Sequence, residues 1–211
     1  MGGVEVTAGG DVFGGRLIKR GFGDSLDGWH EEGAGRFRLD GGRMVVDALE
    51  EGYTAFWREE LPADLLVRFV ARVTDDGGRN NINLISHCRP PRPPRAGEWP
   101  VVESGAYSGY HEMPNYIATF VGGGGDDDTP GRTRLRRNPG FRLLSEEFET
   151  ESAPDRDYEI VFAVRSGRVR YYIDGRLLHD WTDPAPLPGG LFALRTWKTA
   201  LVYSEIELVA L

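Results

Sequence analysis

The side chains best able to do chemistry in this 211-residue chain are concentrated in one segment, Glu103–Phe120. Adjacent His111 and Glu112 could supply a base and an acid, and the hydroxyl group of Tyr110 could transfer a proton. If the segment is a strand, however, neighbouring side chains point to opposite faces of the sheet. We therefore predict His111, Glu112 and Tyr110 as candidate catalytic residues; the alternative is a surface hairpin whose tyrosines pack over its edge. The same segment contributes the candidate ligand-binding residues Tyr107, Asn115 and Tyr116.

The segment Ile82–Cys88 has the alternation of a strand with one polar face. Its pattern predicts that Ser86 and Cys88 point into the core with the apolar residues. Asn83 and His87 are then on the opposite face. Asparagine and histidine side chains hydrogen-bond hydroxyl groups, so we predict that Asn83 and His87 bind a ligand.

The segment Leu191–Trp197 repeats this pattern near the end of the chain. Phe192 and Leu194 are predicted to face the core, which places Arg195 and Trp197 on the other face. An arginine beside a tryptophan is typical of the polar and aromatic lining of a small-ligand cleft, where the ring stacks on a sugar. A register shift of one residue would instead bury Trp197 in the core.

Arginines are concentrated in Arg132–Arg142, which has five of them in eleven residues of an acidic protein. On a strand, Arg132, Arg134 and Arg136 share one face. Guanidinium groups bind carboxylates in a bidentate manner, so this face suits a uronate or another acidic sugar, with Arg134 as the candidate ligand-binding residue. The alternative is a solvated face whose charge is balanced by Asp126–Asp128.

Sequence signatures of several enzyme classes are absent. The chain has no G-x-S-x-G, H-E-x-x-H, C-x-x-C or P-loop sequence, and it lacks the E-x-D-x-E strand of retaining jelly-roll glucanases. The four histidines are too scattered to predict a metal site. We therefore predict no cofactor and no metal centre, and the spacing of Asp126–Asp128 leaves calcium binding open. Pro90–Arg95 fits a polyproline ligand or, more simply, a stiff surface loop.

Charge and composition exclude other classes. The formal net charge of −8 is opposite to that of a general nucleic-acid binder, and no apolar run approaches the roughly 20 residues of a membrane span. No secretory signal is visible at the start of the sequence. The single cysteine, Cys88, forbids an internal disulfide. We expect a single cytoplasmic domain over residues 1–211, and the sequence does not indicate its oligomeric state.

The chain is predicted to be all-β. The best-defined unit is a three-strand meander, Tyr158–Arg165, Arg168–Asp174 and Arg176–Trp181, joined by Ser-Gly and Asp-Gly turns. No segment has convincing helical periodicity. Many short strands without crossover helices favour a two-sheet antiparallel jelly-roll sandwich. The further predicted strands are Arg16–Lys19, Gly35–Leu39, Met44–Ala48, Tyr53–Trp57, Leu65–Val73, Ile82–Cys88, Tyr116–Val121, Arg132–Arg136, Leu191–Trp197 and Leu201–Leu208.

Several runs of the sequence resemble the bacterial YesU-like family, which is a family of unknown function. The runs are NINLISH, GAYSGYHEMPNYIATF, GRTRLRRNPGFRLL, YYIDGRLLHDWTDPAPLPGG, LRTWKT and the opening FGDSLDGWHEEG, which together extend over most of the chain. The resemblance implies a galectin-like sandwich of the concanavalin A-like lectin/glucanase type. It also implies an association with bacterial handling of plant polysaccharide fragments, without an established reaction.

These observations predict a carbohydrate-active protein that binds an oligosaccharide on the concave face of its sheet. A hydrolase would use Glu112 with Glu103 or Asp180 as a second carboxyl group. A lyase acting by β-elimination would hold a uronate carboxylate with Arg134 or Arg195 and move the proton with Tyr110 or His111. A non-catalytic, lectin-like module is the third possibility. No nucleic-acid or membrane partner is expected.

Overall fold

The computed structural model describes residues 3–23, 25–75, 80–92, 101–102, 104–123 and 130–211. In these residues the chain forms fourteen strands and one short 3-10 helix, Tyr107–Glu112. Asp126–Asp128, Glu103 and the proline-rich segment from Pro93 lie outside the described residues. The strands are β1 Gly3–Ala8, β2 Asp11–Arg20, β3 Trp29–Gly33, β4 Arg36–Asp40, β5 Arg43–Leu61, β6 Leu65–Asp75, β7 Ile82–Cys88, β8 Asn115–Val121, β9 Arg132–Asn138, β10 Arg142–Glu147, β11 Asp157–Arg165, β12 Arg168–Ile173, β13 Arg176–Thr182 and β14 Gly190–Ala210.

One continuous antiparallel sheet runs in the order β10-β9-β8-β7-β14-β6-β11-β12-β13. Strand β14 joins its two halves, because its first part pairs with β7 and its second part with β6. Strand β5 pairs with both parts of β14, and the register shifts at Lys198, whose φ of 48° bends β14. β1 and β2 pair with each other, β2 also pairs with the end of β14, and β3 and β4 pair with β5.

The two halves of the sheet face each other across the main hydrophobic core. Leu84, Phe120 and Leu194 from one half pack in the same cluster as Phe69 and Ile160 from the other. At the far edges, His179 on β13 hydrogen-bonds Ser145 Oγ at 2.8 Å and Thr133 Oγ1 at 2.9 Å on β10 and β9. The sheet therefore comes close to closing as a barrel. The prediction of an all-β antiparallel sandwich is confirmed, whereas the two separate sheets of a jelly roll are halves of one sheet.

Most predicted strands are present, and the meander forms β11, β12 and β13. Four predicted strands merge in pairs into the long strands β5 and β14. The two strands pair on both sides of an irregularity, because Trp197 lies opposite Gly52 and Thr199 lies opposite Ala48. Strand β10 escapes prediction because it is an edge strand whose side chains are exposed or half-buried on both faces, so it carries no alternation. β1 also escapes prediction.

Two smaller apolar clusters lie on the outer faces of the sheet, away from the main core. One includes residues of β1, β2, β11 and β12. The other is formed where the 3-10 helix and the residues after it pack over β7 and β8, and it buries Tyr110 and Met113 beside Ile85 and Ile117. No described helix is long and apolar enough to cross a membrane.

Candidate functional site

A cavity of about 600 Å³ opens on the outer face of the sheet, beside the 3-10 helix. Strands β7, β8, β9 and β14 form its floor, and the segment before the 3-10 helix forms part of its wall. This volume is within the range of pockets that hold small ligands. The lining residues are Glu50, Gly52, Asn81, Asn83, Ser104, Gly105, Ala106, Tyr107, Thr119, Val121, Gly122, Pro130, Arg132, Arg134, Arg136, Phe141, Arg195 and Trp197.

Strand β9 supplies three of the cavity's arginines. Arg132, Arg134 and Arg136 all line the cavity, while Leu135 between them packs into the main core. This is the shared face that the alternation of β9 predicts. Glu146 on the neighbouring strand β10 accepts a 2.5 Å hydrogen bond from Arg134 Nε and lies 3.7 Å from Arg132 Nε. One carboxylate therefore offsets part of the charge of two arginines.

Arg136 is held differently from its neighbours on β9. Its Nη1 donates to the carbonyl oxygen of Phe141 at 2.8 Å, and its guanidinium lies 3.7 Å from the centre of the Phe141 ring. Burial lowers the pKa of Arg136, and the positive charge of Arg134 lowers it further. The guanidinium group of Arg136 thus lies in the cavity over the ring of Phe141.

Arg195 is the fourth arginine of the cavity, and it is only 3% exposed. Its Nη1 donates to Thr54 Oγ1 at 2.8 Å and to the Gly105 carbonyl oxygen at 3.3 Å. Its guanidinium lies 4.9 Å from the centre of the Tyr107 ring. A side chain at Gly52 would collide with Arg195, since a Cβ there would lie 2.9 Å from Nη2. Burial lowers the pKa of Arg195.

An aromatic cluster stands between Arg136 and Arg195. The rings of His111 and Phe141 are stacked with centres 3.7 Å apart, and Tyr107 contacts His111 edge-on at 4.4 Å. Burial lowers the pKa of His111 to about 4, and the charges of Arg136 and Arg195 contribute, so this histidine is neutral at pH 7. Burial raises the pKa of Tyr107, against the opposing effects of a hydrogen bond with Thr119 and of the charges of Arg195 and Arg136.

Glu32 on β3 holds this wall of the cavity in place. The residue is 3% exposed, and its carboxylate accepts hydrogen bonds from the backbone N–H groups of Val101 and Val102 and from the Tyr110 hydroxyl at 2.7 Å. Burial raises the pKa of Glu32, although these hydrogen bonds oppose the shift. Glu32 could not be recognised from the sequence, because nothing in its local pattern indicates partners about 70 residues away in the chain.

Two asparagines connect the 3-10 helix to β8 and β9. Asn115 Nδ2 donates to the carbonyl oxygens of Tyr110 and Met113, and Asn138 Nδ2 donates to Asn115 Oδ1 at 2.8 Å. Asn138 Oδ1 in turn accepts from the backbone N–H of Phe141 at 2.8 Å. This buried network positions Phe141 relative to the helix.

Asn83 offers the cavity a hydrogen-bond acceptor. Its side chain lines the cavity and its Nδ2 donates to Asn81 Oδ1. Its Oδ1 is buried and has no hydrogen-bond partner among the residues that the structure describes. A buried acceptor without a partner is costly, and a hydroxyl group of a ligand could satisfy it.

The structure brings together five of the predicted ligand-binding residues around the cavity: Asn83, Tyr107, Arg134, Arg195 and Trp197. The predicted ligand-binding residue Asn115 and the predicted catalytic residues Tyr110, His111 and Glu112 are not among the lining residues. Tyr110 is fully buried with its hydroxyl bonded to Glu32, and His111 stacks behind Phe141. Glu112 is exposed at the end of the 3-10 helix.

The prediction that His87 shares the face of Asn83 is wrong. In the pairing of β7 with β14, Cys88 lies opposite Leu191 and Ile85 lies opposite Ala193. Three residues of β7 therefore span the same length as two residues of β14, so β7 has one extra residue here. This bulge, with a φ of 57° at His87, reverses the alternation. His87 therefore turns to the core side and hydrogen-bonds the Ala63 carbonyl oxygen at 2.8 Å.

Tyr116 also lies on the core side. It packs in the main core and its hydroxyl donates to Asp183 Oδ2 at 2.5 Å, which Arg137 Nε also contacts at 2.7 Å. The suggested carboxyl partner Asp180 is paired with Arg168 at 2.5 Å and does not line the cavity. Neither residue is placed to contact a ligand in the cavity.

Arg132 and Arg136 line the cavity on the face that the sequence predicted for them with Arg134, although only Arg134 was taken as a ligand-binding residue. Phe141 was not identified from the sequence. The described residues contain no group of three or more histidine, cysteine or acidic side chains that could hold a metal ion.

Comparisons with known proteins give a family and a fold. The family model described as a domain of unknown function, DUF6250, matches residues 48–206. No curated protein matches the chain. Among solved structures, a Bacillus subtilis protein of unknown function with a galectin-like fold is 17% identical with a TM-score of 0.74, covering 93% of this chain and 96% of that one.

Two sugar-binding proteins have a similar fold. The carbohydrate-binding module CBM66 from Bacillus subtilis is 14% identical with a TM-score of 0.58, covering 86% of this chain and 95% of that one. The exoplasmic/lumenal domain of VIP36 in its Ca2+/Man3GlcNAc-bound form is 12% identical with a TM-score of 0.66, covering 93% and 88%. The galectin-like fold implied by the sequence resemblance is supported, whereas the specific YesU-like family is not confirmed.

Proposed function

Since the chain belongs to DUF6250, a family of unknown function, we propose from the cavity itself that the protein binds an oligosaccharide, and that a uronate-containing one suits it best. One observation carries this proposal: four arginines and three aromatic side chains line a single cavity of about 600 Å³. Arginines bind carboxylates and hydroxyl groups, and aromatic rings stack on the apolar faces of sugars. The residues are Arg132, Arg134, Arg136, Arg195, Tyr107, Phe141 and Trp197.

Two further observations support sugar binding. The unpartnered Oδ1 of Asn83 lies among the lining residues and suits a sugar hydroxyl. CBM66, which is described as a carbohydrate-binding module, and VIP36, whose structure contains Man3GlcNAc, share the fold of this chain. Fold likeness alone does not carry function from one protein to another, so the cavity residues are the stronger support.

Isothermal titration calorimetry with uronate and neutral trisaccharides tests the proposal. We expect saturable binding that weakens at least about tenfold in Trp197→Ala, because the stacking surface is lost. Leu177→Ala is the matched control, since Leu177 is an exposed apolar residue of β13 that does not line the cavity. If no trisaccharide binds the wild-type protein, the proposal is wrong.

A lyase acting by β-elimination is the second candidate function. The hydroxyl of Tyr107 lies in the field of Arg195, Arg136 and Arg134, so a uronate carboxylate neutralised by these arginines would lie near a group able to move a proton. Tyr107 takes the place of Tyr110 and His111 in this scheme. Hydrolysis is less well supported, because Glu50 is the only carboxylate among the described lining residues and hydrolysis needs two.

The lyase candidate predicts a product with an unsaturated uronate, which absorbs in the ultraviolet. The Tyr107 oxygen, ionised beside the arginines, takes the proton from C5 of the uronate, the bond from C4 to the leaving sugar oxygen breaks as a C4=C5 double bond forms, and Tyr107 returns the proton to that oxygen. Tyr107→Phe should abolish the increase in absorbance while trisaccharide binding persists. Binding of uronates without any such increase would leave a lectin-like binding protein.

A further inference from the structure

The four arginines of the cavity differ in whether a carboxylate lies close to the guanidinium group. Arg134 and Arg132 lie on either side of Glu146, whose carboxylate is 2.5 Å and 3.7 Å from their Nε atoms. Arg136 forms no ion pair with the described residues, and its Nη1 donates to a neutral carbonyl oxygen. Within the described part of the chain, the Arg195 side chain likewise donates only to neutral oxygens, those of Thr54 and Gly105.

The two arginines without a carboxylate partner flank the same aromatic cluster. Arg136 lies over the ring of Phe141 and Arg195 lies over that of Tyr107, and the centres of these two rings are 5.7 Å apart. Both charges act on His111 and on the Tyr107 hydroxyl. Glu32 and Glu146 act on Arg195 and Arg136, respectively, but neither carboxylate forms an ion pair with them. Positive charge in a partly buried cavity is costly without such a pair, and an anionic ligand could supply it.

We propose that the ligand's carboxylate binds at the Arg136–Arg195 side of the cavity, next to Tyr107, and that Arg136 determines selectivity for acidic sugars. The inference rests on the proposed function and deepens it. Arg132 and Arg134 then contact the ligand as a pair whose charge Glu146 already offsets in part, which suits hydroxyl groups. A sugar bound this way directs its carboxylate towards Phe141 and has a hydroxyl within reach of Asn83 at another part of the cavity.

The experiment compares trigalacturonate with its methyl ester, which keeps the sugar and removes the charge. The wild-type protein should bind the free acid at least about tenfold more tightly than the ester. Arg136→Gln should remove most of this preference. It should lower the affinity for the free acid and change the affinity for the ester by no more than about threefold. Arg136→Lys, which keeps the charge but not the planar fork, should retain part of it.

The matched control is the double variant Arg134→Gln with Glu146→Gln, which removes a neutral pair from the same strand face. It should lower the affinities for the acid and the ester by the same factor, so that the ratio of the two affinities stays unchanged. Thermal unfolding of each variant checks that the fold is intact.

Three results would overturn the inference. Arg136→Gln could keep the preference for the acid, or the double variant could lose it as fully as Arg136→Gln does. The wild-type protein could also bind acid and ester equally, which would leave the proposed oligosaccharide binding standing. If neither these ligands nor any neutral trisaccharide binds, the proposed function itself fails and the inference fails with it.

Discussion

Arginines line two outer surfaces of this molecule, and they behave differently on each. On the outer face of β6 and its neighbours, Arg68 contacts Glu159 at 2.5 Å and Arg72 contacts Asp157 at 2.7 Å. Arg168 is paired with Asp180 at 2.5 Å in the same manner. Around the cavity, Glu146 lies close to Arg132 and Arg134, while Arg136 and Arg195 form no ion pair with a carboxylate of the described residues. Glu146 and Glu32 act on Arg136 and Arg195, respectively, only at longer range.

The comparison shows that the number of arginines on a face says little about its function. On the face of β6, each of these arginines is balanced by a carboxylate of its own, and exposed pairs of this kind contribute little stability. In the cavity, Arg136 and Arg195 are more buried than Arg72 and Arg168 and form no ion pair with the described residues, so an anionic ligand could approach them. The neighbouring carboxylates and the degree of burial, rather than the arginines themselves, distinguish a binding site from a solvated surface.

The largest expected difference between the two regions concerns their carboxylates. Glu32→Gln should lower the free energy of unfolding by about 3 kcal/mol, because a buried group that accepts three hydrogen bonds becomes one that must also donate. Glu159→Gln on the face of β6 should cost less than about 1 kcal/mol, since Arg68 keeps Glu207 at 3.5 Å. Urea unfolding of both variants gives the numbers. Equal losses would contradict the contrast between the regions.

Acid should affect the two regions in different pH ranges. The folded pKa of His111 is about 4 against an ordinary value of 6.5, so the unfolded chain takes up a proton first. Stability should therefore fall as the pH drops from about 7 to 4, and His111→Gln should remove about 1 kcal/mol of that fall, allowing for partial exposure. Burial also lowers the pKa values of the other three histidines. These three contribute equally to the pH dependence of stability in the wild type and in His111→Gln.

The face of β6 should respond only at lower pH. A hydrogen bond from Arg72 lowers the pKa of Asp157, and one from Arg168 lowers that of Asp180, both from 3.8. Their contributions are present above pH 3.8 and are lost as the pH falls through the lowered values. Stability measured from pH 8 to pH 3, for the wild type and His111→Gln, separates the two ranges; parallel curves for the two proteins would contradict the assignment to His111.

The smallest effect is expected at Arg72. Arg72→Gln breaks an exposed ion pair, so neither the unfolding stability nor the ligand affinity should change measurably. Calorimetric titration with the ligand that binds the wild-type protein measures the affinity. A tenfold loss would mean that the ligand also reaches the face of β6, which would remove the contrast between the two surfaces.

The alternation of apolar and polar residues predicted most of the strands and part of the cavity lining. It placed Arg132, Arg134 and Arg136 on one face and Arg195 with Trp197 on another, and both sets line the cavity. It failed at His87, where one extra residue in β7 reverses the direction of the side chains that follow. Alternation has a period of two, so a single bulge that the sequence does not announce exchanges the two faces.

The many polar groups in Glu103–Phe120 correctly indicated a segment that borders the cavity, but the residues predicted to be catalytic do not line it. The segment does border the cavity, through Tyr107, but Tyr107–Glu112 folds as a 3-10 helix, and only the end of the segment, from Asn115, is a strand. Tyr110 and Asn115 consequently point into hydrogen-bond networks that hold the wall, and Glu112 points to solvent. Counting reactive side chains cannot distinguish a residue that contacts a ligand from one that supports its neighbour.

The sequence by itself determined the all-β class, most strands and the shared face of the β9 arginines, because these depend on local turn residues and on the two-residue period of a strand. Only the tertiary structure decided which charges are compensated. Glu146 reaches Arg134 across a strand pair, and Glu32 reaches Tyr110 across 78 residues of sequence. Electrostatic interaction depends on distance in space and on burial, and neither is encoded in local spacing.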